Sequence, residues 1–294
     1  MKQPIDQNQH IIPQVYLKQF GYVLNNQYKV SVLKIGEKFT RQKSIKSFLA
    51  QTNIFDIKSD NPEIGRLFES LNCDIENVYL EIINDLETEN KLSEKSQAIL
   101  LQLIPNFIAR SNEWRSNLLF LLNSDAKENV LKMICAHRAE SLEELIQKDF
   151  YRVMADNPSD DIINRALLFF QEYLLRRIGN YEIVILKSQE GKPWFTTDNP
   201  IVLENRTRKF EFMTKESEVY FPLNPDYLIY LHFKDSDDKT NELRSLQSNM
   251  IHLVSDEQNF DLQQKIMRNA HEYVIIDGEF KYRIGEEIIE DEEI

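Results

Sequence analysis

Between residues 61 and 179 apolar side chains recur at three- and four-residue steps, whereas on either side of that stretch they tend to alternate. This change of period restricts the fold more than any other feature. A helix buries one stripe and a strand buries one face, and a sequence written for one cannot serve the other. Asn61-Pro62-Glu63 reads as a helix start: a capping side chain, a proline in the first turn and an acid facing the dipole. Leu67, Leu71, Ile75, Val78, Ile82 and Leu86 follow as one apolar stripe. Ser93 opens a second long helix through Leu100, Leu103, Ile104 and Phe107 to Leu122, which Pro105 is expected to kink or split. A third helix starts at Ser124-Asp125, a fourth spans 141–156 and a fifth 160–178. Asn157-Pro158-Ser159 separates the last two, and Gly179-Asn180 ends the block.

The flanks read as β structure. Residues 28–35 form a strand, Gly36-Glu37-Lys38 turns into a second at Phe39, 44–50 is a short helix and 53–57 a brief strand. Beyond 180, short strands are expected at 181–186, 194–197, 201–204, 210–213, 219–221 and 227–233. Gly191, Pro193, Pro200 and Asn224-Pro225 in the connections point to an antiparallel, hairpin-rich sheet. Helices over 240–254 and 260–270 follow, then a closing strand at 272–276 and a turn at Asp277-Gly278 into 280–284. Strands and helices segregate, so the fold class is α+β. It comprises an N-terminal small β unit, a central helical block and a C-terminal antiparallel β-rich region with late helices. One domain over 1–285 is expected, with the helical block at about 61–179, the β-rich region at about 180–285 and an acidic tail at 286–294.

Only seven glycines occur in 294 residues, which disfavours phosphate-cradling loops and turn-rich β-sandwiches, and the lack of regular βαβ crossovers and of a glycine-rich first turn disfavours a doubly wound sheet. The net charge of -13 disfavours passive binding to nucleic-acid backbone or an anionic membrane. Cys73 and Cys135, in apolar surroundings, read as reduced core residues. The polar opening and the lack of a long apolar run lead to the expectation of a cytoplasmic protein with no membrane partner.

Gln9-His10, Pro13, Tyr16-Leu17 and Phe20 form a compact opening motif. Downstream, in order, stand Phe55-Asp56-Ile57, Glu69 and Glu76, Arg110, Thr197-Asp198-Asn199-Pro200, Pro222-Leu223-Asn224-Pro225 and Asn249, the last expected on a late helix. In this order and spacing they resemble the DUF4238 family of bacterial proteins, a domain of unknown function, over roughly residues 9–276. The family more often has serine at the position of Thr197, and often Thr-Pro soon after the arginine that Arg110 matches.

The residues themselves suggest a site. His10 titrates near neutrality and can move a proton or bind a metal; the alternative is a structural histidine that ties down the arm. Asp198 sits in a turn that Pro200 ends, where polar groups converge on a ligand or simply shape the turn. Arg110 is either an anion clamp or the partner of Glu76. His10, Asp198 and Arg110 are expected to be catalytic, with Gln9, Thr197, Asn199 and Glu76 touching substrate. It leaves the metal open, a divalent ion being the cofactor such chemistry would use. Hydrolysis is the expected activity, first of all nuclease cleavage of phosphodiester bonds, and by analogy in anti-phage defence; a nucleotide or NAD hydrolase would use similar groups. The alternative is a non-catalytic sensor or binding module whose partner is a nucleotide or a phage protein. The basic run Lys34, Lys38, Arg41, Lys43 and Lys46 is a solvated face or steers an anionic substrate.

Overall fold

The structure, a computed structural model, describes residues 6–204, 213–234 and 241–278. The strand expected at 210–213, apart from Met213, the strand at 280–284 and the acidic tail at 286–294 lie outside the described residues.

The opening arm is a strand, β1 (Asn8–His10), paired antiparallel with β5 (Ala50–Thr52) through Gln9↔Gln51. Pro13, with φ -53° and ψ 138°, leads into the single-turn α1 (Gln14–Leu17). β2 (Tyr22–Leu24), β3 (Gln27–Lys34) and β4 (Thr40–Ser44) follow. The helix expected at 44–50 is instead a run of turns, and the strand expected at 53–57 is the turn after β5. Gly21, between α1 and β2, passes close to β3: an added Cβ would stand 2.7 Å from the Lys29 carbonyl oxygen and 3.0 Å from Ile45 Cδ1. Gly21→Ala is therefore expected to cost about 1–3 kcal/mol, read from urea denaturation; an unchanged midpoint would mean that the β2–β3 ribbon yields freely.

The helical block consists of α2 (Pro62–Gly65), α3 (Leu67–Asn77), α4 (Tyr79–Glu89), α5 (Glu94–Arg110), α6 (Asn112–Leu122), α7 (Lys127–Cys135), α8 (Leu142–Leu145), α9 (Asp149–Asp156) and α10 (Ser159–Ile178). Asn61 caps α2, accepting from the Glu63 amide at 2.9 Å, and Ser93 caps α5. The stripe expected from Leu67 breaks at Val78, and Leu67 and Leu71 are exposed while Phe68 and Asn72 are buried. Phe68 packs on Phe55, and Asn72 accepts from Asn106 Nδ2 at 2.8 Å in the core. Pro105 lies inside α5 without ending it. The split falls at Ser111, whose extended backbone stops α5 and whose hydroxyl caps Trp114 in α6 at 3.2 Å. The expected fourth helix divides into α8 and α9, and α10 packs across α5, α6 and α7. Cys135 is buried, but Cys73 is exposed; both are free thiols.

The third region supplies β6 (Tyr181–Lys187), β7 (Thr196–Thr197), β8 (Val202–Glu204), β9 (Glu218–Pro222), β10 (Tyr227–Phe233), β11 (Ile251–Leu253), α11 (Asp256–Arg268) and β12 (Tyr273–Ile276). One sheet runs β11-β6-β10-β9-β8, antiparallel except for the parallel β11–β6 pair. A second runs β2-β3-β12-β7, with β4 on β3, so β12 brings strands from before and after the helical block into one sheet. The helix expected over 240–254 is a 3-10 turn, Glu242–Ser245, followed by β11. Asn249 blocks a helix there with φ +55°, and its amide grips the Leu92 backbone with two 2.9 Å bonds.

β6 and β10 are buried on both faces. Ile183, Ile185, Ile229 and Leu231 join one apolar core that runs from Ile11 to Ile275 and includes the helical block. Val184, Leu186, Leu228 and Tyr230 face α11 with Trp194, Leu243, Leu262 and Ile266. Tyr16 fastens the helices to the sheet. Its ring stacks on Phe221 of β9 at 5.4 Å and meets Phe107 of α5 edge-on at 5.1 Å. Its hydroxyl donates to the Pro222 carbonyl at 2.8 Å and takes the Thr196 hydroxyl at 2.6 Å.

Candidate functional site

The predicted site residues fall into two hydrogen-bonded groups. The first holds Gln9, His10, Glu76 and Arg110. Gln9 is buried, and its amide brackets the turn after β5: Oε1 accepts from the Phe55 amide at 2.7 Å and Nε2 donates to Asp56 at 2.8 Å. Asp56 is in turn ion-paired with Arg66 at 2.7 Å. Arg110, at 1% exposure, reaches from the end of α5 to Glu76 of α3 at 2.8 Å and donates its other terminal nitrogen to the His10 carbonyl. It thus binds the histidine's backbone, while the imidazole faces elsewhere.

The His10 ring is buried, with Nε2 3.2 Å from the Ile45 carbonyl oxygen and Nδ1 3.5 Å from Gln14 Nε2. A carbonyl only accepts, so Nε2 carries the proton and Nδ1 receives the Gln14 amide. Burial lowers its pKa, against the opposing pull of the Ile45 bond and Glu76. Glu69, one of the paired glutamates in the sequence, accepts from Asn72 Nδ2 at 3.4 Å, and burial raises its carboxyl. Arg115, which the sequence reading did not single out, completes this group. It donates to Asn164 and to the Ile54 carbonyl, and its guanidinium and that of Arg110 lie 5.8 and 5.5 Å from the Phe55 ring. Burial brings Arg115 down to about 10.

The second group holds Thr197, Asp198 and Asn199. Asp198 caps the entrance to β12: Oδ1 accepts from the His271 amide at 2.9 Å and Oδ2 from the Glu272 amide at 2.7 Å. Burial still leaves its carboxyl above the usual value despite those bonds. The Thr197 hydroxyl closes the turn on Asn199, donating to its carbonyl at 2.8 Å. Asn199 Nδ2 donates to Glu113 of α6 at 2.5 Å, and Asn269, just after α11, donates back to the Asn199 carbonyl at 2.6 Å.

No hydrogen bond or ion pair joins His10 or Arg110 to Asp198 among the described residues. The two groups are connected through the α5–α6 junction, with Arg110 before Ser111 and Glu113 just after it, and through the Tyr16–Thr196 bond. Among the described residues, no group of three or more His, Cys, Asp or Glu side chains is placed to hold a metal. In the basic run, Lys34 pairs with Glu272 and Arg41 with Glu37.

Beside the second group lies an open hollow of about 410 Å³, lined by Glu113, Ser116 and Asn117 of α6 and by Arg268, Asn269 and His271. Asn199 touches two of its walls, through Glu113 and Asn269, and Asp198 holds the backbone of a third lining residue, His271. Glu113 carried a signal in the sequence, as an acid in the first turn of a capped helix; Arg268, Asn269 and His271 carried none.

The model of the family described as a protein of unknown function (DUF4238) matches residues 8–278. The chain belongs to this family. No curated protein and no solved structure matches it. The polar residues of the DUF4238 motifs are hydrogen-bonded within the fold, and Leu17 and Phe20 pack in its core. Besides those above, Asn224 accepts the Asp226 and Tyr227 amides at 3.0 and 2.7 Å in the β9–β10 turn. No helix among the described residues is long and apolar enough to cross a membrane.

Proposed function

We propose that this DUF4238 protein is a non-catalytic binding module, a cytoplasmic sensor for a nucleotide or a phage protein, in preference to a hydrolase of phosphodiester bonds. One observation carries the reading: among the polar atoms of His10, Arg110 and Asp198, all but the Arg110 Nε already hold a partner in the fold. The His10 Nε2 proton is directed to the Ile45 carbonyl and its basic Nδ1 faces the Gln14 amide at 3.5 Å, the two terminal nitrogens of Arg110 hold Glu76 and the His10 carbonyl, and both Asp198 oxygens hold backbone amides. A general base has to reach the proton it removes, and a clamp has to offer free donors to the incoming anion.

The test is incubation of the wild type with RNA, DNA, ATP and NAD, with and without Mg²⁺ or Mn²⁺. No product above the blank is expected. His10→Ala and Asp198→Ala are expected to lower stability by about 1–2 and 2–4 kcal/mol, because each leaves buried backbone groups unpaired. Turnover that either variant abolishes while its circular dichroism and thermal midpoint stay at wild-type values would establish the hydrolase in place of the sensor.

A further inference from the structure

We infer that the hollow between α6 and the end of α11 is a binding site for a phosphorylated ribose, as carried by a mononucleotide. The inference rests on the binding-module reading and names its ligand class. Two basic side chains, Arg268 and His271, line one wall, and neither side chain has a hydrogen bond or ion pair among the described residues. Arg268 is exposed at the rim of the hollow, and its guanidinium offers the forked geometry that a phosphate matches. Glu113 stands on the α6 wall. One of its oxygens accepts from Asn199, and the other accepts nothing among the described residues. A carboxylate held this way is the acceptor that ribose hydroxyls require. Ser116 and Asn117 add neutral donors and acceptors along the same helix.

A phosphate at Arg268 and His271 with sugar hydroxyls at Glu113 satisfies both walls at once. The volume of about 410 Å³ lies in the range of small-molecule sites, ~300–1,000 Å³. The site is also built rigidly. Asn199 and Asn269 bond each other across the floor, and Asp198 fixes the backbone on which His271 sits. This gives the Thr197-to-Pro200 motif a second consequence: the turn that it shapes joins the two walls.

Calorimetric titration of the full chain with AMP, ribose 5-phosphate, adenosine and glutamate tests the assignment. AMP and ribose 5-phosphate are expected to bind saturably and adenosine at least tenfold more weakly. Arg268→Ala, which removes an exposed side chain, should weaken AMP tenfold or more with an unchanged thermal midpoint. Glu113→Gln keeps an acceptor for Asn199 and should weaken ribose 5-phosphate several-fold. AMP binding without ribose 5-phosphate binding identifies the nucleotide as the source of the phosphoribose and supports the site if Arg268→Ala weakens it. Binding of glutamate alone, AMP binding indifferent to Arg268→Ala, or no binding of any probe would overturn the inference. Hydrolysis of bound AMP would instead sink the non-catalytic reading and leave the site standing, so the two failures are distinguishable.

Discussion

Arg110→Ala is expected to lower the unfolding free energy by about 3–5 kcal/mol, the usual cost of removing one partner from a buried pair. Arg110 is 1% exposed and links three parts of the chain: α5 through its own backbone, α3 through Glu76 and β1 through the His10 carbonyl. Its guanidinium also covers the Phe55 ring. Alanine would leave a buried carbonyl without a donor, a carboxylate without a partner and a void beside an aromatic ring. Glu76 retains 26% of its exposure and so some hydration, which places the expected loss toward the lower end of the range. At about 2–4 °C per kcal/mol for a chain near this size, the midpoint should fall by roughly 6–15 °C. Arg110→Lys should recover little, because one ammonium on a flexible stem cannot replace a planar fork that spans two acceptors. Amide exchange should quicken first in β1 and β5, the ribbon that loses its anchor. A loss below about 1 kcal/mol, or full rescue by lysine, would contradict this account of the arm.

The elements legible in the sequence are those with local causes. Asn61 and Ser93 each announce a helix, and each caps one through its own side chain. The signal lies within three residues, and tertiary packing does not disturb it. β10 was legible for another reason: Tyr227 to His232 are all buried, so the apolar run is nearly continuous. The misreadings have non-local causes. β11 exists because Ile251 lies beside Ile185, and the αL turn at Asn249 before it is held by Leu92, a residue 157 positions away. The exposed faces of Leu67 and Leu71 follow from Phe68 finding Phe55 and Asn72 finding Asn106, partners that periodicity cannot supply. The site divides in the same way. The bracket formed by Gln9 and the turn at Asp198 lie in short motifs. Asn164, which reaches the Ile54 carbonyl from 110 residues away, has no local mark, and neither has Asn269.

The largest loss is expected at a residue that no motif announced. Glu218, 1% exposed at the start of β9, accepts from Tyr220 at 2.9 Å, Tyr230 at 2.7 Å, Asn241 at 2.7 Å and Arg244 at 2.9 Å. These bonds tie the 3-10 turn to the face of the sheet that α11 covers. Arg244 is itself only 5% exposed and also donates to the Glu216 carbonyl at 3.0 Å, so Glu218→Ala takes the carboxylate away from a buried cation and two phenols. A cost of about 4–5 kcal/mol is expected, at the upper end for a broken buried pair. Removing both charges should be less harmful: Glu218→Ala with Arg244→Met should recover part of the loss, since no unpaired ion remains. The same carboxylate sets a pH dependence. Burial pushes Glu218 up, but the bonds from Tyr230, Arg244, Tyr220 and Asn241 outweigh it and hold the group below its ordinary value. The unfolded chain then binds the proton more readily, so this contribution is complete above the unfolded value of about 4.3 and drains away as the pH falls through the lower folded one. His10, also shifted downward, acts in the same sense below its ordinary value of about 6.5. Urea titrations from pH 7 to 3 should show a steep acid loss in the wild type. In Glu218→Gln the slope below pH 5 should flatten while the step belonging to His10 remains. An unchanged acid slope in Glu218→Gln would move the acid sensitivity to other carboxylates and leave Glu218 with packing alone.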